Sequence, residues 1–133
     1  MKYLIGFDCG ATKTACALSD INGKILYTTT GGAANYLVTG ADETSKIILS
    51  LLNDCIKKIN TDYSDIENIL IGAAGAGRKE DAEKLKSFLI EIFSSEDIKV
   101  KSLKVVSDAQ IALHGAFPNE AGCILIAGTG SII

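Results

Sequence analysis

The pattern of apolar and polar positions in the first thirty residues predicts three β-strands. A mostly apolar run covers residues 3–8, small and β-branched residues fill 12–19, and a third run covers 24–30. The last two runs are separated by a turn that contains Asn22-Gly23, a pair that readily accepts the positive φ angles of a hairpin. The sequence therefore predicts an antiparallel three-stranded meander at the start of the chain.

Beyond residue 40 the apolar positions recur with the period of an α-helix. One apolar helical face extends over residues 42–60, with Asp42 as the expected N-cap, and another extends over residues 80–94. The other predicted elements are strands at 68–73 and 103–107, a short helix at 109–116 and a last strand at 123–127.

The order of these elements predicts an α/β fold. Three antiparallel strands followed by alternating helices and strands should form a mixed five-stranded sheet with flanking helices, in the order β-β-β-α-β-α-β. The strand at 123–127 cannot close a second core alone. Residues 1–118 are therefore interpreted as one domain, and residues 119–133 as the first strand and loop of a second, truncated domain.

Composition and charge exclude several classes of function. The chain has 133 residues, of which 47% are hydrophobic and 22% are charged, so it is not a disordered polymer. A net charge of −3 provides no basic surface for nucleic acid or for an anionic membrane. No apolar run approaches the roughly 20 residues of a membrane span, and the N-terminus does not resemble a signal peptide. We expect a cytoplasmic protein, and the sequence leaves open whether it forms a homodimer.

The cysteines and the single histidine carry little functional signal. No C-x-x-C pair occurs, so the cysteines are expected to be reduced and mostly buried. His114 has no cysteine or carboxylate at ligand spacing and is interpreted as a structural or solvated residue. The four cysteines are Cys9, Cys16, Cys55 and Cys123.

The loop between the first two strands, residues 8–14, has the composition of a phosphate-binding loop. Its small residues allow backbone N–H groups to approach a phosphate closely, and the hydroxyls of Thr12 and Thr14 can donate to phosphate oxygens. Asp8, at the end of its strand, can hold a hydrated Mg²⁺. A plain hairpin turn with an exposed acid explains this loop equally well.

Two further positions follow strands in the same manner. Gly128-Thr129-Gly130-Ser131 comes directly after an apolar strand, although the segment alone could be an ordinary turn, and it is not a Walker A loop. Asp108 lies between a strand and a helix, where a carboxylate could accept the proton of a hydroxyl that attacks a γ-phosphate. A helix N-cap is the simpler role for Asp108 on position alone. Asn35 could bind a sugar hydroxyl, with turn formation as the default.

Taken together and in order, these segments resemble the sugar-kinase branch of the actin/hexokinase/Hsp70 superfamily. Within it, the chain is similar along its whole length to N-acetylglucosamine kinases and the related BadF/BadG/BcrA/BcrD-type ATPases. The resemblance implies an RNase H-like (actin-like ATPase) domain. It rests on four stretches, which are residues 6–14, 31–36, 106–109 and 124–131.

The resemblance implies ATP-dependent phosphorylation of an amino sugar, with Mg²⁺, by a complete enzyme of which this chain is the N-terminal half. Asp108 would be the catalytic base and would bind the sugar together with Asn35 and Ser131. Asp8 would be the acid linked to Mg²⁺ through water. The residues implied to contact ATP are Asp8, Gly10, Thr12, Lys13, Thr14, Gly128, Thr129 and Gly130.

Two departures and two alternatives accompany this hypothesis. The family usually has glycine at the positions of Cys9 and Ala11, so the approach of a phosphate could be tighter here. The adenosine-binding segment falls outside the 133 residues, and the chain alone is expected not to phosphorylate sugar.

One alternative is an ATPase that activates a partner enzyme, although no cysteine follows Ser131 to ligate a cluster. The other is a non-catalytic sugar-sensing domain, which the presence of Asp108 opposes.

Overall fold

The computed structural model of the chain describes residues 1–73 and 79–107, and the side chains of these residues except 36–38 and 107. These described residues form five strands, two α-helices and a 3₁₀ turn at Tyr63–Asp65. The elements are β1 (Tyr3–Cys9), β2 (Thr14–Asp20), β3 (Ile25–Gly31), α1 (Tyr36–Lys58), β4 (Ile66–Ala73), α2 (Lys79–Ser95) and β5 (Leu103–Ser107). The short helix and the strand predicted at 109–116 and 123–127 lie outside the described residues.

The five strands form one mixed sheet in the order β3-β2-β1-β4-β5. β1 pairs antiparallel with β2, and β2 pairs antiparallel with β3, which confirms the predicted meander. β4 is parallel to β1, and β5 is parallel to β4. Cys9 is paired with Ala73, and Ala73 with Ser107, so the carboxyl ends of β1, β4 and β5 meet at one edge of the sheet. Ligands of α/β proteins bind at this kind of edge.

The turn between β2 and β3 is organised by Asp20. Its carboxylate accepts hydrogen bonds from the backbone N–H groups of Asn22 and Lys24, each at 2.9 Å. The N–H of Gly23 donates to the carbonyl oxygen of Asp20 at 3.1 Å. Of the Asn-Gly pair, Gly23 alone has a positive φ, at 91°. The hairpin prediction is confirmed, and the conformational freedom that it requires belongs to the glycine.

Both helices pack on the same face of the sheet and contact each other. Each buries one apolar stripe, as the sequence period predicted. Neither of the helices in the described part of the chain combines the length and apolar composition that a bilayer crossing requires. The largest apolar side chains of this core, all almost completely buried, are Phe7, Leu18, Ile66, Ile69 and Ile71 from the sheet, Ile48 and Leu52 from α1, and Leu85, Leu89 and Phe93 from α2.

The start of α1 differs from the prediction. The helix begins at Tyr36 and is interrupted at Gly40, whose φ of 88° and ψ of 162° are accessible essentially to glycine alone. Regular helix resumes after Gly40, so Asp42 lies inside the helix and is not its N-cap. Asp42 is instead exposed and forms an ion pair with Lys46 at 3.3 Å, one turn later. The predicted cap was wrong because the sequence pattern did not reveal that Gly40 breaks the helix.

Both helices end in a Schellman motif formed by a residue other than glycine. After α1, Asn60 takes a left-handed φ of 54°, and the N–H of Thr61 reaches back to the carbonyl of Ile56. After α2, Asp97 takes a φ of 57°, and the N–H of Ile98 donates to the carbonyl of Phe93 at 2.8 Å. These bonds satisfy carbonyl groups that a helix end would otherwise leave without a donor.

The packing of α1 on the sheet predicts that substitution by alanine costs much more stability at Leu52 than at Leu26. Leu52 is completely buried in the core, whereas Leu26 on the edge strand β3 is 40% exposed. Leu52→Ala should lower the free energy of unfolding by about 2–5 kcal/mol, because it removes buried methyl groups and leaves a cavity. The matched change Leu26→Ala should alter it by about 0.5 kcal/mol. Urea denaturation measures both, and equal losses would contradict the described packing.

Candidate functional site

The loop that joins β1 to β2 is closed by a hydrogen bond across its base. The N–H of Gly10 donates to the carbonyl oxygen of Lys13 at 2.9 Å. A Cβ atom at Gly10 would lie only 3.0 Å from that same oxygen, so the tight turn requires glycine. Ala11 and Thr12 are exposed at the tip of the loop, and Lys13 is half-buried. The hydroxyl of Thr12 therefore belongs to a solvent-facing residue, as a contact with a ligand phosphate requires.

A second loop, residues 31–35, is fastened to this first loop by two hydrogen bonds. The N–H of Ala34 donates to the carbonyl oxygen of Gly10 at 2.9 Å. The hydroxyl of Thr14 donates to the carbonyl oxygen of Gly32 at 2.8 Å. The predicted phosphate loop and the segment that carries Asn35 are therefore neighbours in space.

The environment of Thr14 suggests a supporting role for its side chain. Thr14 is completely buried, and its single hydroxyl hydrogen is used in the bond to Gly32. To donate to a phosphate, as the sequence suggested, this hydroxyl would have to leave Gly32. Thr14 thus positions the two loops, whereas Thr12, two residues earlier, lies at the exposed tip. The sequence carried one signal of this packing, the run of small residues at 31–34.

Asp8 and Asn35 border the two loops. Asp8 is half-buried in β1, with Ala15 opposite on one side and Gly72 on the other. Ala15 carries only a methyl group and Gly72 has no side chain, so the two positions paired with Asp8 are both small. Asn35 is half-buried and immediately precedes α1, and its carbonyl oxygen accepts the N–H of Thr39 at 2.7 Å.

Cys9, where the family usually has glycine, does not obstruct the loop. Its side chain is completely buried in the core beneath the helices, and successive strand residues alternate between the two faces of a sheet. The side chain of Asp8 is therefore on the other face. Burial, with a smaller contribution from the charge of Asp8, raises the pKa of the Cys9 thiol to about 12. Cys9 is thus a protonated core residue at neutral pH.

The remaining predicted site residues follow β5 in the chain and lie outside the described residues. They are Asp108, Gly128, Thr129, Gly130 and Ser131. Their roles remain predictions. The described part fixes only where this segment begins, after Ser107, at the sheet edge that also bears the end of β1.

This fold and this edge define a class of protein. A mixed sheet in the order β3-β2-β1-β4-β5, with a glycine-threonine hairpin after its first strand, is the arrangement of an RNase H-like, actin-like ATPase domain. The model of the BadF/BadG/BcrA/BcrD ATPase family matches residues 5–133. The chain belongs to that family.

Curated relatives and solved structures agree with this assignment. The chain is 35% identical over 132 residues to the N-acetylmuramic acid/N-acetylglucosamine kinase of Clostridium acetobutylicum, covering 99% of the chain. It is 26% identical over 131 residues, 98% of the chain, to the glucosamine kinase GspK of Vibrio cholerae. It spans 42% of the length of each of these two relatives.

A solved structure from Chromobacterium violaceum, provisionally named an N-acetylglucosamine kinase, superposes with a TM-score of 0.66 at 25% identity. The match covers 90% of this chain and 40% of that one.

The closed turn at Gly10 predicts that substitution by alanine destabilises the protein at Gly10 but not at Gly32. Gly10→Ala should lower the free energy of unfolding by about 1–3 kcal/mol, because the new Cβ forces the Lys13 carbonyl away. Gly32→Ala is the matched control, since a Cβ there meets nothing within 4 Å. It should leave stability unchanged or raise it by up to about 1 kcal/mol. Thermal and urea unfolding of both variants test this, and a harmless Gly10→Ala would contradict the loop geometry.

Proposed function

We propose that the complete protein transfers the γ-phosphoryl group of ATP to a hydroxyl of an amino sugar of the N-acetylglucosamine type. The observation that carries this proposal is the pair of hydrogen bonds that join the loop of residues 10–14 to the loop of residues 31–35. They bring the predicted ATP-phosphate loop next to the loop that bears Asn35, the predicted sugar ligand. The names of the two curated relatives, both amino-sugar kinases, support the choice of substrate class.

The phosphate loop would act through its backbone and through Thr12. In phosphoryl transfer the protein contributes mainly positioning and electrostatic stabilisation. The bond that closes the turn at Gly10 holds the loop before ATP arrives, so less freedom is lost on binding. Thr12 at the tip would donate to a phosphate oxygen, and Lys13 and the loop of residues 128–130 would complete the ATP contacts.

Asp8 fits the role of an acid that binds hydrated Mg²⁺. Its carboxylate belongs to a half-buried residue at the base of the phosphate loop, between Ala15 and Gly72. Carboxylates that bind Mg²⁺ in phosphate sites commonly do so while the ion keeps several waters. When bound, Mg²⁺ would neutralise charge on the phosphates.

Asp108 would orient the sugar hydroxyl and accept its proton. The residue follows β5, whose end lies at the same sheet edge as the phosphate loop, two strands away from β1. A carboxylate at this edge can face both the acceptor hydroxyl and the γ-phosphate. Asn35 and Ser131 would bind other sugar hydroxyls and so fix which hydroxyl reacts.

The location, partners and domain division of the protein belong to the same proposal. An enzyme that consumes ATP and a small sugar belongs in the cytoplasm, and a net charge of −3 provides no attraction for nucleic acid. Residues 1–118 would form the first domain, and residues 119–133 would begin the second. The chain alone would not phosphorylate sugar, because it spans 42% of each kinase that it matches.

Replacing Asp108 tests the proposed chemistry in the complete protein. Asp108→Asn should lower turnover of N-acetylglucosamine by roughly 10²- to 10⁴-fold, because the amide cannot accept the proton. Stability should change little, since Asn caps a helix as well as Asp does. Asp62→Asn, at an exposed position ahead of the 3₁₀ turn, is the matched control and should retain full turnover.

A coupled assay that follows ADP release measures both variants, with mass spectrometry to detect sugar phosphate. Near-normal turnover in Asp108→Asn would assign this residue to capping alone. ATP hydrolysis with no sugar phosphate, across the N-acetylated and free amino sugars, would refute the kinase proposal in favour of an activator ATPase.

A further inference from the structure

Two cysteines outside the candidate site lie in sulfur–sulfur contact. Cys16 of β2 and Cys55 of α1 are 39 residues apart in sequence, yet their Sγ atoms are 3.5 Å apart. Both are free thiols in the core, with 2% and 0% of their surface exposed. We propose that this pair is a redox-sensitive staple, which a peroxide converts to a disulfide that links β2 to α1.

The geometry requires little movement to form this bond. A disulfide brings its sulfurs to about 2 Å, so the two Sγ atoms have to approach by only about 1.5 Å. α1 already packs on β2 and β3, and the two sulfurs meet inside that interface. We expect a change of side-chain rotamer with a small shift of the helix to supply this movement.

The hydrogen bond between the two thiols links their acidities. The hydrogen bond between them, together with burial, raises the pKa of Cys16, and either sulfur can be the donor in this bond. The same hydrogen bond lowers the pKa of Cys55, so the contact favours a thiolate on one sulfur while the other keeps its proton. Because the thiolate is the reactive form, one sulfur of the pair attacks the peroxide and the other resolves the product.

The reaction is balanced in two steps, and exchanging the roles of Cys55 and Cys16 leaves the balance unchanged. The Cys55 thiolate attacks one peroxide oxygen, the O–O bond breaks, and the departing oxygen leaves as water after it takes a proton, so that Cys55 becomes a sulfenic acid. Cys16 then loses its proton while its sulfur attacks the Cys55 sulfur, and the S–O bond breaks to release a second water. Two thiols lose two electrons and two protons, and one peroxide becomes two waters.

Because both cysteines are buried, the pair should react with small oxidants in preference to bulky ones. A thiol in the core is reached only when α1 opens transiently from the sheet, so a small uncharged peroxide has an advantage over a bulky disulfide such as oxidised glutathione. The new ring encloses residues 16–55, which include β3 and the loop of residues 31–35. The disulfide would therefore stabilise the framework that supports the candidate site, chiefly by restricting the unfolded chain.

Peptide mapping after oxidation tests the proposal directly. The folded full-length protein is treated with hydrogen peroxide, quenched, unfolded in an alkylating reagent and digested with trypsin. Cleavage after lysine separates three cysteines into peptides 3–13, 14–24 and 47–57. We expect a cross-linked species of peptides 14–24 and 47–57, lighter than the two together by two hydrogens, which dithiothreitol abolishes. The thermal unfolding midpoint should rise by roughly 10 °C on oxidation and return on reduction.

Cys9 provides the matched control, because it is a buried thiol of the same core and is not a partner in the contact between the Cys16 and Cys55 sulfurs. Cys9→Ala should keep the cross-link, whereas Cys16→Ala and Cys55→Ala should each abolish it and the shift in unfolding midpoint. If a variant fails to fold, the map of the unsubstituted protein still decides. Full alkylation of peptides 14–24 and 47–57, a cross-link to another cysteine, or a cross-link formed only after unfolding would overturn the proposal.

Discussion

The connection between the two loops at the end of β1 is the constraint on which the candidate site depends. One of its two hydrogen bonds comes from Thr14, a completely buried residue whose hydroxyl has no access to water. A buried donor that loses its partner costs about 1–3 kcal/mol, so this bond is much more expensive to break than an exposed one. The other bond joins the backbones of Gly10 and Ala34. Together they turn a hairpin loop and a glycine-rich segment into one unit.

The sheet places these two joined loops at the edge where β1, β4 and β5 end. β1 lies in the centre of the sheet, between an antiparallel and a parallel neighbour, and the residues that follow Cys9 form the predicted phosphate loop. β4 and β5 end at the same edge, which is where residue 108 follows in the chain. Both helices cover the face of the sheet opposite to the Asp8 side chain, and Cys9 packs in the core between that face and the helices. Because successive side chains of β1 alternate between the two faces of the sheet, Cys9 packs in the core while Asp8, the proposed Mg²⁺ ligand, lies on the other face.

Much of the fold could be predicted from the sequence, because it rests on short-range patterns. The period of the apolar residues gave the strands and helices, and β5 was predicted with its observed bounds, Leu103–Ser107. The start of α1 could not be predicted in this way. A break at Gly40 depends on a backbone conformation that leaves no mark on the apolar pattern, and Asp42 has the residue type of an N-cap although it lies inside the helix.

The candidate site was predictable in composition but not in arrangement. Glycine, threonine and aspartate at residues 8–14 indicated phosphate chemistry, yet Thr12 and Thr14 are equivalent in such a pattern. Only the pairing of β2 with β3 shows that Thr14 lies opposite Gly31 and is buried, while Thr12 stays at the tip. The contact of Cys16 with Cys55 likewise depends on packing between distant segments.

The central claim is that the Thr14 hydroxyl holds the two loops together. Amide hydrogen exchange at Ala34, followed by NMR in the parent protein and in Thr14→Val, tests it most directly. Removing the hydroxyl should accelerate exchange of the Ala34 N–H by roughly 2- to 10-fold, the factor that corresponds to one hydrogen bond. The N–H of Lys24, bound to Asp20 at the far end of the hairpin, should be unaffected. Unchanged exchange at Ala34, or equal acceleration at both amides, would contradict the account.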